Sequence, residues 1–228
     1  AKHHPDDPPA SDPVTQLVIG FLQWGATREE AESAFANAMQ ELVDINELRV
    51  TDDEELVELF GQNYPSVWER TARMREALNA IYVREHAVAM HSIAEKSKKE
   101  QRAYLDSLPG MTPYVAAQVT LLSFGGHALP IDQKLVDLLV QQEILQEGTT
   151  PAHAESELLR QVRAAEALHT HMLLQAWADE AAGGKKRGGS KSRSGGSRQK
   201  AANQGGGSGR RSSSGSSGNA GQKATARS

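Results

Sequence analysis

A turn between two predicted helices carries residue types that could bind an anion. In the stretch "LPGMTPYVAAQ", residues 108–118, a proline and a glycine turn the chain, and a threonine and a second proline begin the next helix. Threonine is a good N-cap, proline is favoured at the first helical position, and glycine adopts positive φ without strain. Backbone N–H groups at such a helix start can bind a phosphate. A helical hairpin without a ligand explains the same pattern. The residues concerned are Pro109, Gly110, Met111, Thr112 and Pro113.

Two side chains next to this turn could take part in catalysis. Tyr114 lies at the start of the helix, and Asp132 follows eighteen residues later, directly before "QKLVDLL". A carboxylate and a phenol are both capable of acid–base or electrostatic work. The alternatives are structural: Asp132 fits the N-cap of the following helix, and Tyr114 fits a half-buried helix aromatic.

The elements around these residues are predicted to be helices. Between residues 13 and 182 the apolar residues recur at helical spacing, connections are short, and no strand pattern is convincing. The pattern predicts an all-α domain of nine or ten helices. Thr27, Thr51 and Ser66 each precede a glutamate by three residues, which predicts a capping box at each helix start. On the longest helix, Trp68 is expected to face inward with Met74, Leu78 and Ile81.

The two ends of the chain differ from this domain in composition. Residues 1–12 are proline-rich and are expected to be unstructured. Residues 183–228 contain no acidic, aromatic, Leu, Ile or Val residue but eleven Lys and Arg, which predicts a disordered basic tail. Residues 1–182 carry 14 basic and 29 acidic residues, a net charge of -15. Such a tail could bind a polyanion with a salt-sensitive affinity, or could be a solubilising linker.

Composition excludes some classes of protein and favours others. The chain has no cysteine, so disulfides, cysteine-ligated zinc and iron–sulfur clusters are excluded, and no cofactor is expected. No apolar run approaches the ~20 residues of a membrane span, and no signal peptide is visible. The protein is expected to be an intracellular monomer without membrane contact, cytoplasmic (nucleoid-associated) or nuclear and not secreted.

The order of several blocks resembles one family. "LPGMTPYVAAQVTLLSFGGHALPID" is similar to the signature of the helix–hairpin–helix DNA glycosylases, the endonuclease III-like base-excision repair enzymes. That signature has a Leu-Pro-Gly hairpin, a helix, a Phe-Gly or Leu-Gly turn, and an Asp that opens another helix. "DPVTQLVIGFLQWGAT" resembles the family's first helix and "ALHTHMLLQAWAD" its last, so the likeness covers about residues 12–180. It implies a fold of two helical subdomains and double-stranded DNA as the partner.

The resemblance assigns chemistry to the two side chains near the hairpin. Tyr114 stands where the bifunctional members carry the lysine that forms a Schiff base with the sugar, and Asp132 stands where they carry their catalytic Asp. A phenol cannot form a Schiff base, so the resemblance implies a monofunctional enzyme without lyase activity. Asp132 would stabilise positive charge on the sugar or activate water.

Departures from the family pattern also carry expectations. Thr112 replaces the second hairpin glycine, so the turn is expected to differ and one phosphate contact to weaken. Gly25 replaces the glutamine that fills the gap left by a flipped base. The iron–sulfur cluster of many members is absent for want of cysteines, which makes the chain a divergent member if it belongs to this family.

Further residues are weaker candidates. A basic cluster before the hairpin could follow a phosphate backbone or could be a solvated helix face: Lys96, Lys98, Lys99 and Arg102. Basic residues at the start of the tail could also contact DNA: Lys185, Lys186 and Arg187. His169 and His171 point to different helix faces and make a poor metal pair, so packing or surface roles are expected and no metal site is predicted. Lys134, two residues beyond Asp132, could replace the missing Schiff-base lysine only from a remote position, and the alternative is a solvated helix residue.

Two functions remain open from the sequence. The first is hydrolysis of the N-glycosidic bond of a flipped damaged or mispaired base. The second is a catalytically inactive relative that serves as a DNA-binding or protein-interaction module, which the acidic body favours. A glycosylase is expected to gather its basic residues around the cleft between Tyr114 and Asp132, and carboxylates there would favour the second function.

Overall fold

The computed structural model describes residues 12–189, and their side chains as far as residue 183. Within that range the chain forms eleven α-helices and one short 3-10 helix, Ala164–Glu166, with no strand. The α-helices are α1 (Pro13–Gln23), α2 (Arg28–Glu41), α3 (Ile45–Val50), α4 (Asp53–Phe60), α5 (Val67–Glu85), α6 (His91–Ala94), α7 (Lys98–Asp106), α8 (Pro113–Leu122), α9 (Gln133–Gln141), α10 (Pro151–Leu159) and α11 (Ala167–Gly189). The all-α prediction is confirmed. The helix that the sequence did not predict is α3.

Two larger hydrophobic cores and a small third cluster, which includes Leu121 of α8 and Ala167 of α11, hold these helices together. The larger core buries apolar side chains of α1, α2, α4, α5 and α8, and α1 packs directly against α2, α5 and α8. Gly20 brings α1 close to α8, because a Cβ there would lie 3.3 Å from Val115 Cγ1. The second core consists of α9, α10 and α11 and includes Leu135, Leu139 and Trp177. This agrees with the predicted two helical subdomains.

The helix starts follow local capping chemistry, with two differences from the prediction. Thr27 and Glu30 form the predicted capping box. Thr51 does not cap α4, because its hydroxyl donates to the carbonyl of Glu47 at the end of α3, and Asp52 is the N-cap instead. Ser66 makes no capping hydrogen bond, since it lies in the left-handed region at φ 49°.

Trp68 contradicts the predicted inward face of α5. Its side chain is 55% exposed, whereas Met74, Leu78 and Ile81 are buried as predicted. The buried face of α5 instead includes Arg70, which is 1% exposed. The sequence pattern favoured the large apolar residue, but the helical register places Arg70 on the core side, where main-chain carbonyls satisfy its charge.

The two ends of the described chain can be compared with the predicted domain boundaries at residues 13 and 182. Helix α11 continues to Gly189, past residue 182, where the sequence placed the end of the domain. The remaining tail residues and residues 1–11 lie outside the described part of the chain. Among the described residues, no helix is both long and apolar enough to cross a membrane.

Candidate active site

A buried arginine fixes the end of α1. The guanidinium of Arg70 donates hydrogen bonds to the carbonyls of Phe21, Leu22 and Trp24, at 2.7 Å for Leu22 and 2.6 Å for Trp24. The hydroxyl of Tyr64 also donates to the Leu22 carbonyl, at 2.8 Å. The last carbonyls of a helix have no partner within it and carry partial negative charge, so a cation satisfies them. The chain therefore leaves α1 in one defined direction.

The carboxylate of Asp132 is held at this point by two backbone N–H groups. Its Oδ1 accepts from Leu135 N at 2.9 Å, which makes Asp132 the N-cap of α9 as predicted. Its Oδ2 accepts from Gly25 N at 3.0 Å. Gly25 has φ 74° with open space where a Cβ would be, so the left-handed conformation, not crowding, favours glycine. The turn after α1 and the start of α9 thereby meet at one carboxylate.

Tyr114 lies beside Asp132, as the sequence predicted. Its side chain is 5% exposed, and both residues line one cavity. Burial raises the pKa of the phenol well above its ordinary value; the carboxylates of Asp132 and Asp179 raise it further, and the Arg70 guanidinium opposes them. The phenol is therefore neutral at physiological pH and can donate a hydrogen bond.

The cavity that Tyr114 and Asp132 share has a volume of about 170 Å³. It is bounded by the α1–α2 turn, the start of α8, α9 and the middle of α11. Among the side chains that the structure describes, its charged lining residues are Asp132, Lys134, Asp137 and Asp179. Carboxylates outnumber the single lysine among these side chains, which is the lining expected of a catalytically inactive relative and not the basic lining expected of a glycosylase.

Asp179 is the lining residue that sequence reasoning missed. Its Oδ1 accepts from Arg28 N at 3.2 Å, at the start of α2, and from Gln175 Nε2 at 3.0 Å, one turn earlier on α11. The carboxylate thus ties α11 to the start of α2 beside the cavity. No local sequence signal marks this role, since Arg28 and Asp179 are 151 residues apart in the chain.

The hairpin itself is well formed. Gly110 has φ 74°, and a Cβ there would lie 2.4 Å from the backbone oxygen of Arg73, so only glycine fits. Thr112 lies at φ -106° and ψ 152°, an extended conformation open to any residue, and its hydroxyl accepts from Val115 N at 3.3 Å. The replacement of the second hairpin glycine therefore does not force a different turn. Its effect on phosphate binding stays a prediction.

The basic cluster before the hairpin is partly engaged within the protein. Lys98 Nζ donates to the carbonyl of Phe124, after the end of α8. Arg102 pairs with Asp106 at 2.9 Å and lies 3.7 Å from Glu155. Lys96 and Lys99 are exposed. The predicted DNA contacts at Lys185, Lys186 and Arg187 lie on the last turns of α11, beyond the residues whose side chains are described.

Two arginines of α5 that the sequence did not single out lie against the hairpin. Arg84 donates to the hydroxyl and the carbonyl of Ser107, at 2.8 and 2.9 Å. Arg73 donates to the carbonyl of Gly110 at 3.4 Å, and its guanidinium lies 5.8 Å from the ring centre of Trp24. Arg73 also pairs with Glu69 at 2.9 Å, so its charge is partly compensated. Basic side chains near the hairpin therefore come from α5 as well as α7.

The two histidines occupy different faces of α11, as predicted. His169 is exposed and His171 is 7% exposed. Burial, with a smaller effect of the Arg28 charge, lowers the pKa of His171 to about 4, so the ring is neutral at pH 7. Among residues 12–183 no three His, Asp or Glu side chains are grouped as metal ligands would be.

Comparison with known proteins identifies the fold. No protein-family model matches the sequence, and no curated protein matches it. Among solved structures, a trapped covalent intermediate of endonuclease III with DNA, an estranged-adenine complex, aligns over 72% of this chain and 73% of its own, with a TM-score of 0.57 and 16% identity. The chain has the endonuclease III fold.

Two further structures support the same assignment. A non-covalent endonuclease III–DNA complex covers 75% of this chain and 77% of its own, with a TM-score of 0.58 and 16% identity. A thermostable thymine-DNA glycosylase covers 73% and 74%, with a TM-score of 0.54 and 16% identity. The fold that the sequence resemblance implied is confirmed. Tyr114, Asp132 and the hairpin are thus placed on an endonuclease III fold at 16% identity to these structures.

Proposed function

We propose that the chain is a monofunctional DNA N-glycosylase acting in base-excision repair. The observation that carries the proposal is the Asp132 carboxylate, which two backbone N–H groups hold beside Tyr114 at a cavity of about 170 Å³. That volume suits a single flipped base, and the endonuclease III fold is shared with a thymine-DNA glycosylase.

The reaction is a hydrolysis in which the sugar carries the developing charge. The bond between C1′ and the base nitrogen breaks, and its electron pair leaves with the base, so positive charge builds on the deoxyribose. Asp132 stabilises that charge and accepts a proton from water, whose oxygen forms the new bond to C1′. The proton passes on to the departing base. Tyr114 lines the pocket and supplies no amine, so the strand is left intact.

DNA binding is assigned to groups outside the pocket. Backbone N–H groups of residues 109–113 would hold phosphate at the start of α8. Arg73 and Arg84, which contact the hairpin, supply positive charge beside it. The basic residues after α11 would add a salt-sensitive contribution. Two of the structures that share the fold are endonuclease III–DNA complexes.

An excision assay tests the proposal. Duplexes carrying uracil, a thymine–guanine mismatch, adenine opposite 8-oxoguanine, and alkylated purines are incubated with the full chain. A truncation after Gly189, which keeps α11 whole, is assayed in parallel. We expect release of at least one base, and at least a 100-fold loss of that release in Asp132→Asn, in line with the removal of one electrostatic catalytic group. Release of no base, or full release by Asp132→Asn, would contradict the proposal.

A second function is favoured by one observation. Asp137 and Asp179 line the cavity along with Asp132, which disfavours the approach of a polyanion. A catalytically inactive relative that binds a protein, or that binds DNA only through groups outside the cavity, would keep the fold and tolerate this charge. Binding to undamaged duplex without release from any substrate in the assay would support that function.

A further inference from the structure

The peptide group between Trp24 and Gly25 is held from both sides. Its carbonyl oxygen accepts from the Arg70 guanidinium at 2.6 Å, and its N–H donates to Oδ2 of Asp132 at 3.0 Å. A peptide group is planar and trans, so its carbonyl and its N–H point in opposite directions, and a partner that fixes one also fixes the other. The peptide therefore connects a buried arginine of α5 to the carboxylate at the start of α9.

The backbone of the turn does not by itself fix the orientation of this peptide. Ala26 N donates to the Gln23 carbonyl at 2.9 Å, and Trp24 at φ -56° and ψ 104° with Gly25 at φ 74° gives a type II turn. A type I turn closes with the same hydrogen bond, but its central peptide is rotated by about half a turn. Glycine adopts the backbone of either turn. In a type I turn the Gly25 N–H would point away from Asp132, so groups outside the turn must select the type II form.

Arg70 can select this form because its own position is fixed. Its side chain is 1% exposed and makes five hydrogen bonds, all to main-chain carbonyls: one each to Phe21, Leu22 and Trp24, and two to Pro65 at 2.9 and 3.0 Å. Five bonds match the five N–H groups of a guanidinium. A lysine has only three donors on a flexible stem and cannot hold the same carbonyls together.

The charge of Arg70 also acts on the site. Burial raises the pKa of Tyr114, the carboxylates of Asp132 and Asp179 raise it further, and the guanidinium opposes them. The cation is therefore close enough to act on the phenol of the cavity. Hydrogen bonds in series polarise one another, so a charged donor on the Trp24 carbonyl strengthens the bond from the Gly25 N–H to the carboxylate.

We propose that Arg70 is a positioning residue that orients the Asp132 carboxylate through the Trp24–Gly25 peptide. The catalytic consequence of this inference rests on the proposed glycosylase function, and its geometry does not. Leu135 N holds Oδ1 and Gly25 N holds Oδ2, so the carboxylate has one orientation. Without Arg70 the peptide turns over, its carbonyl faces Oδ2, and the carboxylate loses the fixed orientation that electrostatic catalysis requires.

The amide resonance of Gly25 tests the geometry without any substrate. An N–H bonded to a carboxylate shifts when that carboxylate is protonated, so in the full chain the Gly25 resonance should move as the pH is lowered, and Asp132→Asn should abolish the movement. In Arg70→Lys we expect the movement to fall by at least about half. Arg75→Lys makes the same substitution on α5 in a residue that pairs with Asp53, and it should leave the movement unchanged. An unchanged movement in Arg70→Lys would overturn the proposal.

The opposite perturbation decides the case in which Arg70→Lys does not fold. Asp132→Ala removes the acceptor of the Gly25 N–H and leaves Arg70 in place. In a crystal structure of this variant we expect the Trp24 carbonyl still to accept from the guanidinium and the Gly25 N–H to keep its direction. A peptide rotated into a type I turn would show that Asp132 holds the peptide, and it would overturn the proposal.

Base release measures the catalytic consequence. Arg70→Lys should lower kcat by about ten-fold or more and leave the KM for the duplex unchanged. In the Asp132→Asn background the same substitution should change kcat by less than about two-fold, because the group through which Arg70 acts is absent. An equal loss in both backgrounds would overturn the positioning role. A chain that releases no base contradicts the proposed function alone, and the Gly25 resonance and the Asp132→Ala structure then decide the inference.

Discussion

Replacing Asp132 separates the structural role of this residue from its catalytic one. Asp132→Ala removes the N-cap of α9, which is worth about 1 kcal/mol of unfolding free energy. It also leaves Gly25 N without its acceptor, and a hydrogen bond to a charged group is worth about 1.5–3 kcal/mol. The expected destabilisation is therefore about 3 kcal/mol. Asp132→Asn keeps the cap, because asparagine caps as well as aspartate, but has one oxygen for two donors.

Asp52 provides a matched control. It caps α4 through a 2.8 Å bond to Glu55 N and is exposed, so Asp52→Ala should cost about 1 kcal/mol. Urea unfolding followed by circular dichroism gives both values, provided that the slope m is unchanged. The excess at Asp132 measures the Gly25 bond. A destabilisation no larger at Asp132 than at Asp52 would refute the conclusion that this carboxylate joins the α1–α2 turn to α9.

The same variants distinguish a cap from a catalytic group. If Asp132 is only a cap, Asp132→Asn folds with a loss of about 1–2 kcal/mol and retains excision in proportion to its folded fraction. If it is catalytic, excision is lost in a protein that is still folded at the assay temperature. Circular dichroism at that temperature therefore accompanies every rate.

Three further outcomes are expected. Gly110→Ala should strongly lower the free energy of unfolding in urea, because its Cβ would lie 2.4 Å from a backbone oxygen. Gly148→Ala is the control: Gly148 has φ 81° but open space around it, so the substitution should cost about 1 kcal/mol. Equal losses in the two variants would contradict the close packing at Gly110. The free energy of unfolding should decrease as pH falls from about 6.5 towards 4. Burial lowers the pKa of His171 to about 4 in the folded protein, so in this range the unfolded chain binds a proton there that the folded protein does not. His171→Gln should flatten this part of the profile. Borohydride reduction during turnover should trap no covalent adduct with DNA, since Tyr114 is not an amine; an adduct would indicate that Lys134 reaches the sugar.

The parts of the fold that the sequence predicted are those with local signals. Apolar residues at helical spacing located most helices. Thr27 with Glu30 gave a correct capping box, because both partners lie within one turn. The Thr51 prediction was wrong for a reason that is not local: its hydroxyl is taken by the end of α3, a helix of six residues that the pattern did not reveal. Short helices carry too few periodic positions to be recognised.

The site was predicted only where the chain repeats a family pattern. Tyr114, Asp132 and the hairpin lie within 24 residues of one another, and their spacing carried the resemblance. Arg70 and Asp179 had no such signal. The sequence analysis did not single out Arg70, because its burial depends on carbonyls of α1 about fifty positions earlier in the chain. Groups that orient a site from distant helices cannot be inferred from spacing alone.

The acidic cavity and the basic hairpin flank have different tasks in the proposed mechanism. Phosphates lie on the outside of the duplex, and the groups assigned to them are the hairpin N–H groups and the arginines of α5. The flipped base alone enters the cavity, so the carboxylates there meet a ring and not a phosphate. A negative pocket favours the positive charge that develops on the sugar as the base leaves. In the proposed mechanism the acidic lining therefore acts on the sugar and the base, while the phosphates are bound by groups outside the cavity.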